Sequence, residues 1–174
     1  MWKSEKFVCK DKGYFWLSDS PWVESIGKDT YGCKRICMWV LLKEKKTDKE
    51  FYYFNTHFGF GDEDQVNSVK LIKQTADLLN AEAFIITGDF NMQLDSKAYM
   101  EMTKYYTDVN MATVRDMGTT FHNYGQEGIY EHIDCCFINS KTISPIDSKV
   151  IYDTIDGKYP SDHYGIYFEL NIMD

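Results

Sequence analysis

Two short acidic motifs carry the clearest chemistry in the chain. In Gly88-Asp89-Phe90-Asn91 a carboxylate and an amide stand two residues apart, a spacing that puts both on one side of an extended segment, where they can hold one phosphate, water or metal ion together. Gly88 allows the backbone to pass close to a neighbour. The same residues also suit an Asx turn that closes a strand. In Ser161-Asp162-His163 an acid adjoins an imidazole behind Tyr159-Pro160, whose proline biases Tyr159 toward extended backbone. A carboxylate suits Mg²⁺, and an adjacent ring suits a general base or a donor to phosphate. The bland alternative is a cap or loop turn followed by a core histidine.

Two further positions belong with these. His57 ends an aromatic run with Asn55 and Thr56 before it, and Asp134 lies within Ile133-Asp134-Cys135-Cys136-Phe137-Ile138. An unpaired carboxylate inside so apolar a run is costly, so Asp134 needs a partner. A catalytic histidine is the economical one, because an Asp–His pair fixes the ring tautomer and raises its basicity. His132 and His122 are expected in loops or on the surface.

These residues need strands to bring them together. Phe7 to Cys9 and Tyr14 to Leu17 read as a hairpin about the turn Lys10-Asp11-Lys12-Gly13, Arg35 to Leu42 as a strand, and Phe51 to Phe58 as its partner across a charged connection. Asp62 and Asp64 offer caps to a helix from about Gln65 to Asn80, whose Val66, Val69, Ile72, Ala76 and Leu79 form one face. Strand Phe84 to Thr87 follows, giving strand, helix, strand, the signature of a layered α/β fold with functional groups at strand ends. Asp95 can cap a short helix, Ser96 to Thr103, and another is expected near Asp108 to Val114. Thr119 to His122 and Tyr130 to Ile138 read as a hairpin. The alternation of Tyr164, Ile166, Phe168, Leu170 and Ile172 predicts a closing strand with one buried face.

Composition narrows the function classes. The 174 residues suit a single domain, and 16% aromatic content with 13 Tyr and 11 Phe favours sheet over a helical bundle. A net charge of -8 excludes the broad basic face of sequence-independent nucleic-acid binding, so a polyanionic substrate must be met by a local patch or bound cations. Arg35, Lys70 and Arg115 are candidates for local contacts. Five cysteines without a Cys-x-x-Cys pair indicate neither a zinc ribbon nor a disulfide framework, and Cys135 and Cys136 should point to opposite faces of a strand. No signal-peptide core or membrane span is found, so a soluble cytoplasmic protein is expected.

In order along the chain, Asn55-Thr56-His57, Gly88-Asp89-Phe90-Asn91, Ile133-Asp134 within an apolar strand, and Ser161-Asp162-His163 resemble the endonuclease/exonuclease/phosphatase superfamily, which includes pancreatic deoxyribonuclease. Phe15 through Pro21 and Arg35 through Trp39 add to the likeness, which covers nearly the whole chain. The resemblance implies a four-layered α/β sandwich, two packed mixed sheets flanked by helices, and hydrolysis of phosphoesters by an activated water with Mg²⁺ or Mn²⁺. By similarity, Asp89 positions or deprotonates the water and shares the metal with Asp162, Asn91 orients the water and stabilises the phosphorus centre, His163 donates to a phosphoryl oxygen under the orientation of Asp134, and His57 assists the transition state. Arg35, Asn91 and His163 would contact the substrate, a small phosphoester or single-stranded nucleic acid.

The chain departs from the family in one respect. Members begin with a strand carrying an asparagine, then a helix and a strand ending in Gln-Glu, whose glutamate is the principal metal ligand. Neither is present, and Glu24, Glu63 and Glu101 lie in the wrong contexts to replace it. The expectation is therefore one family domain over residues 1–174 lacking its first strand or strands and helix, either a hydrolase or a phosphate-binding assembly module, with an open sheet edge that invites self-association.

Overall fold

The computed structural model describes residues 1–114, 118–129 and 131–173. Arg115 and Tyr130 lie outside the described residues. Among the described residues, eight strands and three α-helices follow the chain as β1 (Phe7–Trp16), β2 (Ile36–Glu44), β3 (Glu50–His57), α1 (Asp62–Leu78), β4 (Phe84–Asp89), α2 (Lys97–Met102), β5 (Thr107–Asp108), α3 (Val109–Thr113), β6 (Asp134–Ile138), β7 (Ile143–Ile151) and β8 (Gly165–Ile172). Six strands form one sheet in the order β1-β2-β3-β4-β6-β5, and β7 and β8 form a second. Within the first sheet only β3 and β4 run parallel, the two strands that α1 connects.

The main sheet separates two apolar layers. On one side Phe15, Phe54, Phe84, Ile86, Phe90 and Phe137 pack with Val69, Ile72 and Ala76 of α1 and with Ala98 and Met102 of α2. On the other, Leu42, Phe51, Ile85, Cys136 and Ile138 pack with Ile143 at the start of β7 and with Phe168, Leu170 and Ile172 of β8. Alternation along β4 and β6 assigns Ile85 and Ile86, and Cys135 and Cys136, to opposite layers. Each fully buried Phe or Ile contributes roughly 1.5–3 kcal/mol, so the strands that carry the site are among the most firmly held parts of the chain. This is the α/β sandwich that the motifs imply.

Local chemistry differs from expectation at several ends. Phe7 to Trp16 is one strand, not a hairpin: the register against β2 shifts between Cys9 and Asp11, so a bulge absorbs the polar Lys10-Asp11-Lys12 run that looked like a turn. Helix α1 starts after Gly61 with no side-chain cap; Asp62, Glu63 and Asp64 instead occupy its first turn, where acids favour the helix dipole. Ser96, not Asp95, caps α2 by accepting from the Tyr99 N–H. The hairpin expected around residue 125 is reduced to a bridge between Phe121 and Glu131.

Coverage of the main sheet is uneven. Beside the part covered by β7–β8 lies a hollow of about 600 Å³ lined by Trp2, Met38, Val40, Tyr53 and Ile85, with Met38 53% exposed. Among the described residues β8 pairs with β7 alone.

Candidate active site

Three strand ends place the reactive groups in one row. In the parallel register His57 of β3 stands opposite Asp89 of β4, and in the antiparallel register Asp89 stands opposite Asp134 of β6. Residues paired across adjacent strands share a face of the sheet, so an imidazole and two carboxylates project side by side. Behind them on the same face stand Asn55, Thr87 and Cys136, then Tyr53, Ile85 and Ile138, a gradient from apolar floor to polar rim. Close packing of the row depends on Gly88, because a Cβ there would fall 2.2 Å from the Thr56 carbonyl oxygen.

His163 closes the row from the loop that precedes β8, bridged to Phe121. Its Nδ1 lies 2.8 Å from Asp134 Oδ2, which makes Nδ1–H the donor and turns Nε2 toward Asp89, 3.8 Å from Oδ2. The same Asp89 oxygen lies 3.3 Å from His57 Nε2. His57, Asp89 and Asp134 line a cleft of about 430 Å³ together with Thr87, Tyr164, Ile166 and Phe168.

The Asp89 turn follows the Asx-turn reading of its motif, not the extended one. Asn91 has a left-handed backbone (φ 47°), and its N–H donates to Asp89 Oδ1 at 2.9 Å, which is an Asx turn. Its side chain therefore does not lie parallel to Asp89 as in an extended segment. Instead Asn91 Nδ2 donates to the Phe58 carbonyl at 3.0 Å, tying the β4 end to the β3 end beside His57. Buried Gln65 supports the same turn by donating to the Asn91 and Gly59 carbonyls at 2.7 and 3.0 Å.

Around His163 the Ser161 hydroxyl does the local work. It accepts from the His163 N–H at 3.1 Å and donates to Asp162 Oδ1 at 3.2 Å. The Asp162 carbonyl accepts from the N–H groups of His122 and Asn123 at 3.0 and 3.1 Å, which docks this loop on residues 120–125. Thr120, fully buried, accepts through Oγ1 from the Ile133 and Asp134 N–H groups, and its carbonyl accepts from Tyr164 N at 2.7 Å. Thr120 thus holds the two halves of the Asp134–His163 pair in register. Neither Gln65 nor Thr120 stands out in the sequence, since a glutamine on a helix and a threonine in a loop look solvated. His122 and His132 lie in loops as expected, but both are buried, at 3% and 8% exposure, and not on the surface.

Electrostatics divides the two rings. Burial works against a charged His163, yet its hydrogen bond to Asp134 and the charges of Asp134, Asp89 and Asp162 hold it above the ordinary histidine range. Burial pushes His57 below that range against the pull of Asp89, helped by the charges of Arg35 and His163. Burial and then the Asp134 charge raise Asp89, while the Asn91 N–H opposes them. Arg35, whose charge acts on His57, has its Nε 3.6 Å from the buried Asp29 carboxylate. Lys70 is on the exposed side of α1, lining a different hollow with Ser18 and Gln74.

The oxygen and nitrogen atoms of Asp89, Asp134 and His163 converge to within 4.8 Å and form the group able to hold a metal among the described residues. With His163 Nδ1 committed to Asp134, what faces a cation is chiefly carboxylate oxygen, which fits a hard ion such as Mg²⁺ that keeps several waters. The Asp162 carboxylate lies outside this group. Glu24, Glu63 and Glu101 are paired with Lys34, Lys28 and Lys104.

Known structures share this arrangement of strands. A Bacteroides thetaiotaomicron protein of the endonuclease/exonuclease/phosphatase family superposes with a TM-score of 0.90 at 28% identity, over 99% of this chain and 68% of its own. The chain has the fold of the endonuclease/exonuclease/phosphatase family and is similar to this member over nearly its whole length. A mannosyl-6-phosphatase of the same bacterium matches at TM-score 0.88 and 27% identity, over 98% of this chain and 69% of its own. Zebrafish (D. rerio) TDP2 in complex with a single-strand DNA product shares the fold at TM-score 0.68 and 13% identity, over 96% of this chain and 69% of its own. No family model matches the chain. An uncharacterised protein, L388, of Acanthamoeba polyphaga mimivirus is 38% identical over 82 residues, 44% of this chain and 30% of the viral protein. The chain thus spans about two thirds of the superfamily structures, and its match spans less than a third of the viral relative.

Proposed function

We propose that the chain carries the hydrolytic site of a metal-dependent phosphoesterase. The observation that carries this reading is the row His57–Asp89–Asp134 closed by His163, three strand ends and one loop bringing two carboxylates and two imidazoles to one cleft. Asp89, ionised, accepts the proton of a water at its Oδ2 and aims that water into the cleft. His163, charged and held by Asp134, donates through Nε2 to a phosphoryl oxygen, where negative charge develops. His57, kept neutral, polarises the far side of the phosphate. Asn91 and its tie to Phe58 keep Asp89 and His57 at a fixed separation, and the positive charge of Arg35 acts on His57. Mg²⁺ or Mn²⁺ held by Asp89 and Asp134 would neutralise charge on the phosphoryl oxygens; Asp162 contributes its field to His163. A mannosyl-6-phosphatase among the similar structures supports the phosphoester class.

Hydrolysis of bis-p-nitrophenyl phosphate with Mg²⁺ or Mn²⁺ tests the reading. Turnover that depends on the metal and is lost in Asp89→Ala and His163→Ala is expected; turnover indifferent to both substitutions contradicts the site. A second reading, a phosphate-binding assembly module, draws on the hollow beside Met38, Val40 and Tyr53 and on the pairing of β8 with β7 alone among the described residues. Such a face favours pairing with a second copy, read out as a concentration-dependent dimer in sedimentation. Metal-dependent turnover by a strictly monomeric chain excludes it.

A further inference from the structure

Behind the reactive row lies a second polar tier to which the reaction outlined above gives no role. Asn55 stands two residues behind His57 on β3 and Thr87 two behind Asp89 on β4, and the two are paired in register, so they share the face that carries the row. Both line the cleft, as does Tyr53. Behind Asp134 the corresponding residue is Cys136, a fully buried thiol and a weak acceptor, so the polar tier belongs to β3 and β4.

Hydrogen bonding within the tier fixes which atoms are left over. Asn55 Nδ2 donates to the Thr87 carbonyl oxygen and to Thr87 Oγ1, each at 3.1 Å. A carbonyl only accepts, so the atom facing it is the amide nitrogen, and the amide oxygen of Asn55 has no partner among the described residues. Tyr53 Oη and Thr87 Oγ1 are 2.6 Å apart, and either can donate. If Tyr53 donates, its oxygen keeps two lone pairs; if Thr87 donates, each oxygen keeps one. Acceptor capacity is left over in both cases, and Ile166 and Phe168, which line the cleft with them, bring no donor.

Spacing decides what these acceptors can take. Two residues along a strand separate side chains on one face by about 7 Å. Two oxygens bound directly to one Mg²⁺ lie at most about 4.2 Å apart, whereas a carboxylate on the ion and an acceptor bonded to one of its waters can lie about 7 Å apart. We propose that Asn55, Thr87 and Tyr53 accept hydrogen bonds from waters that stay on a cation at Asp89 and Asp134, and so raise the affinity of a site with few direct ligands. This rests on the metal-dependent reading above and adds positioning residues to it, which act through ordered water and touch neither ion nor substrate. Partners of this kind change metal affinity by about 10–100-fold.

Mn²⁺ binding without substrate, followed by electron paramagnetic resonance, tests it, together with competition by cobalt(III) hexammine, which presents N–H donors around an ion whose ligands do not exchange. Asn55→Leu, Thr87→Val and Tyr53→Phe should each weaken Mn²⁺ by about tenfold or more, and cobalt hexammine should displace Mn²⁺ from the unmodified chain and bind more weakly to the same three variants. Thr87→Val and Tyr53→Phe each remove one hydroxyl at nearly constant volume, so they report on bonding with the fold kept. Thr87→Ser, which retains the hydroxyl, should bind Mn²⁺ as the unmodified chain does. Mn²⁺ affinity unchanged in all three variants, with Asp89→Ala abolishing it, overturns the role of the tier and leaves the phosphoesterase reading in place. A loss in Thr87→Ser equal to that in Thr87→Val also overturns the proposal, since packing would then be responsible. Absence of Mn²⁺ binding by the unmodified chain overturns the proposal and the metal-dependent reading together.

Discussion

The cleft holds two Asp–His pairs that look alike in sequence and differ in construction. On one side, Asp134 and His163 meet at 2.8 Å with side chains 20% and 25% exposed, and loop 120–125 fixes both through Thr120 and the Asp162 carbonyl. On the other, His57 and Asp89 are 3.3 Å apart, and the His57 side chain is 55% exposed. The first pair drives its ring toward the charged form despite burial; the second leaves its ring neutral, because Arg35 and His163 add positive charge to the effect of burial. An Asp beside a His is thus no fixed device. What surrounds it decides whether the pair makes a proton donor or a neutral ring next to a base.

Substitutions should break the comparison unequally. Asp89 serves both sides and has no substitute, so Asp89→Asn should lower kcat by about 10³-fold or more with little change in fold, checked by turnover together with circular dichroism. His163→Ala follows, at about 10²–10⁴-fold in kcat. Asp134→Asn acts through His163 and should cost about 10–100-fold, with a signature that mere loss of packing lacks: the alkaline limb of the pH–rate profile should move to lower pH. His57→Gln should have the smallest effect, about tenfold or less in kcat, and should leave that limb in place.

The unmodified chain should give a bell-shaped profile. Asp89 is raised, so the acid limb falls above the ordinary aspartate range, as protonation removes the base. His163 is also raised, so the alkaline limb falls above the ordinary histidine range, as deprotonation removes the donor. Stability follows the same linkage: what the charged His163 contributes is fully present below its unfolded pKa and is lost as pH rises through the folded one.

Much of this difference was invisible in sequence. Alternating or apolar runs ending in His57, Asp89 and Asp134 revealed strands and their ends, because strand periodicity is written in side-chain polarity. The cost of burying Asp134 was enough to call for a histidine partner. Ties between the ends were not legible, since they run through backbone carbonyls: Asn91 to Phe58, Gln65 to Asn91, Asn123 to Asp162. Nor was the β1 bulge, whose Lys10-Asp11-Lys12-Gly13 run has the composition of a turn but pairs with β2 at Asp11, Lys12 and Gly13 and leaves Lys10 in the bulge. His122 illustrates the limit in the other direction, because a histidine in a loop beside Asn123 reads as exposed until the rings of Tyr159 and Tyr164 enclose it.

The asymmetry of the two pairs is tested most directly by titrating the histidine ring resonances by NMR across neutral pH. His163 should titrate above the ordinary histidine value of about 6.5 and His57 below it, and Asp134→Asn should lower His163 while moving His57 little. Equal values for the two rings, or a His163 that ignores the loss of Asp134, would contradict the account of how this cleft divides its proton chemistry.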